Sequence, residues 1–202
     1  LIFDEVVTGC RLDMGGAQKL YNIIPDITVL GKIITHGYPS SGAVAGRKEV
    51  MKVCTGSMGE KIFVGGTLAA NPISMAACYY ALKYMAEQDA VAKATAYANR
   101  LTQALNDLYA TRPDLGFFVY NFGAIMHYMT TAFFSIDLNA SDALTQIFTR
   151  KQVADDYQVV TMAHGLCTLA GTRMYTCMQH DDEALKKTLS IWEYLLSLIP
   201  RS

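Results

Sequence analysis

Three short stretches of the sequence carry residue types that could do chemistry together. Asp4 and Glu5 stand where the apolar run of "LIFDEVV" gives way to acids. Lys32 sits in "VLGKII", a cation among Val, Leu and Ile directly after Gly31. "VGGTLAANP" places two glycines and Thr67 ahead of Asn71 and Pro72. In open α/β sheets ligands bind at the carboxyl edge of the strands, and Asp4, Glu5 and Lys32 all follow β-rich runs. A lysine in an apolar pocket is poorly solvated, so its neutral amine becomes accessible as a base or as a nucleophile toward carbonyls. Small residues let backbone N–H groups approach an anion, and Thr67 adds a hydroxyl donor.

Each feature alone has a plainer reading. The acids could be solvated loop residues, the lysine a side chain snorkelling at a strand end, and the glycines an ordinary loop. Together they match one cofactor. Pyridoxal phosphate needs a lysine for its aldehyde, a carboxylate for its pyridine nitrogen and an anion cradle for its phosphate.

The elements that must position these residues can be read from pattern. Residues 1–7 read as a strand whose apolar start suits a buried parallel sheet, which suggests a fragment of a longer chain. Residues 15–24 read as a helix stopped by Pro25, 27–31 as a strand and 45–53 as a helix. Asn71 and Pro72 open a helix to about residue 88, and another runs from about 90 to 111. Aromatic-rich strands follow at 116–122 and 124–136, then a helix over 141–157 capped by Ser141. "QVVTM" and "TRMYTCM" read as short strands, and an amphipathic helix with acids in its first turn closes the pattern over 181–199. Strand–helix alternation followed by a mixed segment predicts an α/β unit over 1–88 and an α+β unit over 89–202.

Composition narrows the classes. With 51% hydrophobic and 17% charged residues in 202, the chain can bury a sizeable core. A net charge of −1 gives no basic stripe for nucleic acid, and no apolar run reaches the roughly 18 residues of a membrane span. The five cysteines show no C-x-x-C spacing, so reduced thiols in a cytosol-like compartment are expected rather than a metal or redox centre. His127 lies in an apolar strand and reads as a satisfied core histidine, while His36 reads as a loop-packing residue.

The stretch "IFDEVVTGCR…GGAQKLYNIIPDITVLGKIITHGYPSSGAVAGRKEVM" resembles the class III, fold-type I aminotransferases. Asp4 and Lys32 lie 28 positions apart, the spacing of that family's pattern. "GGTLAANPISMAA" is similar to its Gly-Thr-x-x-x-Asn-Pro segment. The resemblance is strong over residues 1–85 and weaker beyond. It implies that Lys32 forms the Schiff base with the cofactor and shuttles a proton, that Asp4 pairs with the pyridine nitrogen, and that Val7 packs near the ring. Gly66 and Thr67 would contact a phosphate, Thr67 that of a neighbouring subunit, in a cytoplasmic homodimer with a shared active site. Glu5 would be structural. It further implies chains about twice this long, so that 202 residues form a partial large domain with a mainly parallel sheet, a C-terminal small domain, and an incomplete catalyst on their own.

Within the family the chain is most similar to the glutamate-1-semialdehyde 2,1-aminomutases and their transaminase relatives. It departs from the former in having Thr35-His36-Gly37 for a triple-glycine turn and no glutamate in "LAGTRMYTC". Arg173 stands there instead and would clamp a substrate carboxylate, although Thr176-Cys177 replaces the family's Pro-Pro. The leading expectation is amino-group transfer between an amino acid or amine and a keto acid or aldehyde. The aminomutase reaction comes second, and a non-catalytic relative of the fold third.

Overall fold

The computed structural model describes residues 1–38, 42–56, 61–129 and 137–200. They divide into two compact units, Leu1–Ala92 and Lys93–Ser202.

The first unit is organised by a three-stranded sheet in the order β1 (Ile2–Asp4), β2 (Ile27–Leu30), β3 (Ala43–Gly46). β1 and β2 are parallel, with Asp4 opposite Val29, and β3 joins β2 antiparallel. An antiparallel edge strand on a parallel pair is common in α/β sheets. Between β1 and β2 lies the short helix α1 (Gly16–Leu20). A 3₁₀ turn, Lys32–Thr35, follows β2 directly. Helix α2 (Lys48–Met51) follows β3, and α3 (Pro72–Glu87) packs against the 3₁₀ turn. Asn71 caps α3, its Oδ1 accepting from the Ile73 and Ser74 amides at 3.0 and 3.3 Å, with Pro72 pre-set for the first turn.

Three expectations for this unit are corrected. The strand read over 1–7 is shorter and lies at the sheet edge, leaving Leu1 and Ile2 63% and 64% exposed instead of buried. The helix read over 45–53 is divided, because residues 43–46 pair with β2. Gly46 permits that pairing, since a Cβ there would meet the Asp26 carbonyl oxygen at 2.5 Å. The helix read over 15–24 likewise contracts to Gly16–Leu20.

The second unit sets an antiparallel sheet, β4 (Phe118–Phe122), β5 (Ile125–Met129), β6 (Arg173–Tyr175), against three helices. These are α4 (Ala90–Tyr109), α5 (Ala143–Ala163) and α6 (Asp182–Ser197). Ala98, Leu101, Leu105 and Tyr109 line one face of α4 at helical spacing and meet Val119, Met126 and Met174 from the sheet. Trp192 of α6 fills the centre, edge-on to Tyr109 and Tyr128 with ring centroids 5.9 and 4.9 Å away. Arg112 is buried and ties two segments together. It pairs with Asp114 at 2.8 Å and donates to the carbonyls of Leu196, Ile199 and Pro200, each at 3.0 Å, where α6 ends.

The strand expected at "QVVTM" is helix: α5 runs unbroken to Ala163. Thr161 is fully buried, and its hydroxyl donates back to the Tyr157 carbonyl at 2.8 Å and pairs with the Thr168 hydroxyl at 2.9 Å. Packing thus overrides the strand preference of Val159 and Val160. Ser141 does not cap α5; Asp142 precedes it without a side-chain capping bond. The strand expected over 124–136 is β5 up to Met129, and its remainder lies outside the described residues.

Candidate active site

Parallel pairing brings the first two chemical features together. Asp4 ends β1 opposite Val29, and the Glu5 amide donates to the Val29 carbonyl at 2.8 Å. Lys32 follows three residues later, so both side chains leave the chain at the carboxyl edge of the same strand pair. Asp4 is exposed and its Oδ1 accepts from the Val6 amide at 3.0 Å. Val7 is half-buried in the turn that follows, its carbonyl accepting from Arg11 Nη1 at 3.1 Å.

Lys32 adopts the left-handed backbone region, φ 51°, as one of seven non-glycine residues to do so among those described. For an unbranched L residue this costs on the order of 1 kcal/mol and turns the chain sharply off the strand. Gly31 before it is extended and buried. The expected apolar pocket around the amine is not formed by the described residues. Ile34 and Thr35 are buried, whereas Lys32 opens the turn and is exposed. The reversed φ takes the side chain out of the strand's alternation and leaves the burial to residues two and three positions on.

The acids at the edge divide their work. Glu5 is 1% exposed and its carboxylate accepts from the Ala17 and Gln18 amides at 3.0 and 2.8 Å and from the Thr8 hydroxyl. It therefore anchors the start of α1 against β1. Gly16 completes the anchor, since at φ 69° a Cβ would lie 2.6 Å from the Glu5 carboxyl carbon. Asp13 supports the same turn, and the Gly15 amide and Lys19 hold its carboxyl below the usual range. The exact bonding of Glu5 was hidden in the sequence, where only the neighbouring glycines signal a close approach.

The 3₁₀ turn and α3 enclose a cleft of about 580 Å³ lined by Thr35, His36, Tyr38, Ile73, Tyr80 and Tyr84, among others. His36, also left-handed at φ 51°, lines this cleft and is exposed. Gly66 and Thr67 are exposed in the loop ahead of α3, and a Cβ on Gly66 would meet nothing within 4 Å. The structure thus unites Asp4, Val7 and Lys32 at one edge and keeps Gly66 and Thr67 on a separate segment of the same unit. Arg173 belongs to the second unit, half-buried in the edge strand β6 and opposite His127. Among the described residues no group of three or more His, Cys, Asp or Glu could hold a metal ion.

The donor set fits pyridoxal phosphate on its chemistry. An exposed carboxylate and an exposed amine share one strand edge, and a hydroxyl stands next to a glycine with open space around it.

The profile of the family Aminotransferase class-III matches residues 1–128. A glutamate-1-semialdehyde 2,1-aminomutase from Francisella philomiragia is 35% identical over 197 residues, covering 95% of this chain and 43% of the relative. This chain therefore spans less than half the length of that curated relative. Among solved structures, an omega-transaminase from Sphaerobacter thermophilus superposes with a TM-score of 0.77 at 24% identity, over 98% of this chain and 44% of its own. A structure described as a transaminase with PLP bound gives a TM-score of 0.78 at 23% identity over 98% of this chain and 43% of its own. These likenesses establish the fold, fold type I of the PLP-dependent transferases, over part of its length.

Proposed function

Since this chain belongs to the class-III aminotransferase family, we propose that it carries the lysine half of a pyridoxal-phosphate site that transfers an amino group between an amino donor and a keto or aldehyde acceptor. The observation that supports this most is the shared strand edge of Asp4 and Lys32, with the lysine thrown clear of the strand by its left-handed backbone.

When bound, the cofactor supplies an aldehyde that takes up an amino group and a ring that withdraws electrons from the substrate Cα. The chain's own residues do the rest. Lys32 Nζ would be the amine that holds the cofactor through its aldehyde, and as a free amine it would serve as the base that moves a proton from the substrate Cα. Asp4 holds a proton on the pyridine nitrogen, which keeps the ring an electron acceptor. Val7 gives the ring an apolar contact. The Gly66 and Thr67 segment receives a phosphate, that of a second subunit in a homodimer. Arg173 orients a substrate carboxylate through two parallel N–H bonds. Residues 1–88 serve as part of the cofactor domain and 89–202 as the small domain. No described helix is long and apolar enough to cross a membrane.

A second reading is favoured by the 35% identity to an aminomutase over 95% of this chain. There the amino group returns to the same carbon skeleton. An exchange experiment separates them. With a ¹⁵N-labelled amino donor and an unlabelled keto acid, a transaminase moves the label to the second skeleton, and Lys32→Ala abolishes it. Retention of label on the donor, with the donor's isomer appearing, selects the aminomutase. Label transfer undiminished in Lys32→Ala removes the proposal.

A further inference from the structure

The face of the second sheet away from the core carries a cross-strand row. Tyr120 of β4 pairs with His127 of β5, and His127 pairs with Arg173 of β6. The Tyr120 and His127 rings stack with centroids 5.2 Å apart and planes 7° from parallel. Toward β6, the Tyr128 amide donates to the Thr172 carbonyl at 3.1 Å and the Thr176 amide to the Ala124 carbonyl at 3.0 Å. His127 and Arg173 fall between these bonds, in the non-hydrogen-bonded register that brings opposite side chains closest.

His127 is half-buried, so it is not the core histidine that its apolar neighbours suggested. Burial, and next the Arg173 cation, hold its pKa below the usual histidine value. The groups facing it are the Tyr120 phenol from β4 and the Arg173 guanidinium from β6. Among the described residues no carboxylate forms an ion pair with His127 or Arg173.

We propose that His127 is a positioning residue for Arg173, and that it takes up a proton when Arg173 binds a carboxylate, so that the row favours acidic substrates at the lower end of the physiological pH range. This rests on the reading of Arg173 as the carboxylate clamp. With the clamp empty, a charged imidazole beside the guanidinium would be repelled, and His127 stays neutral. A bound carboxylate cancels that repulsion and offers an acceptor, so the charged imidazole becomes favourable. The stacked Tyr120 ring keeps the imidazole in place and its face favours the cation. His127 then has its higher pKa in the bound state. The extra affinity is fully present below the free-state pKa, falls as pH rises through the interval between the two, and is absent above the bound-state pKa.

The test uses the cofactor-loaded protein and glutarate, a dicarboxylate with no amino or carbonyl group to react. Calorimetric titration in two buffers of different ionisation enthalpy, from about pH 6 to about pH 8, reads the protons bound with the ligand. The wild type should take up a fraction of a proton and lose at least roughly threefold in affinity across that range. His127→Gln should still bind glutarate but with no proton uptake and a flat profile, and Arg173→Gln should lose binding. Proton-neutral binding by the wild type, no binding by the wild type, or unchanged uptake in His127→Gln would each overturn the proposal. The function itself fails separately, by absence of label transfer in the exchange experiment.

Discussion

Two adjacent acids at the end of β1 have opposite fates. Asp4 is exposed, whereas Glu5 is buried and its oxygens accept from Ala17, Gln18 and Thr8. Glu5→Ala would leave two half-buried amides without their carboxylate, and a loss of about 2 kcal/mol is expected in denaturant unfolding. Gly16→Ala should destabilise by a similar route, because its methyl group would occupy the space of the Glu5 carboxylate. Unfolding of Glu5→Ala at the wild-type midpoint would show that Glu5 does not anchor α1. Arg173→Ala should raise the KM for an acidic substrate by the worth of a charge-assisted pair, about 1.5–3 kcal/mol, with kcat for a substrate lacking a carboxylate as the control. An unchanged KM for the acid would take Arg173 out of the pocket. At this scale the sequence was most legible. That Asp4 and Lys32 each follow a β-rich run already suggested a shared carboxyl edge, and the parallel register of β1 and β2 provides it. The left-handed backbone of Lys32 was not legible, because that region is not an intrinsic preference of lysine and is imposed by its surroundings.

Elements were read well where local signals and packing agree. Asn71-Pro72 begins α3 and the acids at 181–183 begin α6, with Asp181 accepting from the Ala184 amide at 2.9 Å. They were misread where tertiary contacts decide. Strand β3 exists through pairing with β2, and the last turns of α5 exist through the burial of Thr161. The end of α6 is similarly long-range, resting on Arg112 from 84 residues upstream. Arg112→Met keeps much of the volume but removes the guanidinium bonds to the Leu196, Ile199 and Pro200 carbonyls, of which Leu196 keeps the Ile199 amide at 3.3 Å. A drop of several degrees in the thermal midpoint is expected. A midpoint equal to wild type would show that water serves those carbonyls as well.

For the whole molecule, two properties follow from what is buried and what is not. Burial pushes the Tyr128 phenol up to about 12, and Tyr109 and Tyr157 are raised by the same cause. The folded state then holds phenolic protons that the unfolded chain releases near pH 10. Stability should be unaffected below that pH and fall as pH rises from about 10 toward 12, by up to about 2 kcal/mol for Tyr128 alone. Tyr128→Phe should be less steep over this interval in thermal unfolding, and an identical slope would count against the burial argument. The first unit also leaves large apolar side chains in water, Phe63 at 90%, Ile24 at 79% and Ile2 at 64% exposure among them. The sequence could show that these residues are apolar but not that they would remain uncovered. Coverage depends on which surfaces meet, and single-residue hydropathy does not carry that information. These 202 residues are accordingly expected to bind a hydrophobic dye strongly when folded.

The proposed site stands or falls with Lys32 Nζ as the amine that meets the cofactor aldehyde. It is tested most directly by adding pyridoxal phosphate to the protein, reducing with borohydride and mapping the modified peptide by mass spectrometry. A stable phosphopyridoxyl group is expected on Lys32, absent in Lys32→Arg and much weaker in Asp4→Asn. A label distributed over Lys48, Lys52 and other exposed lysines, with none concentrated on Lys32, would contradict it.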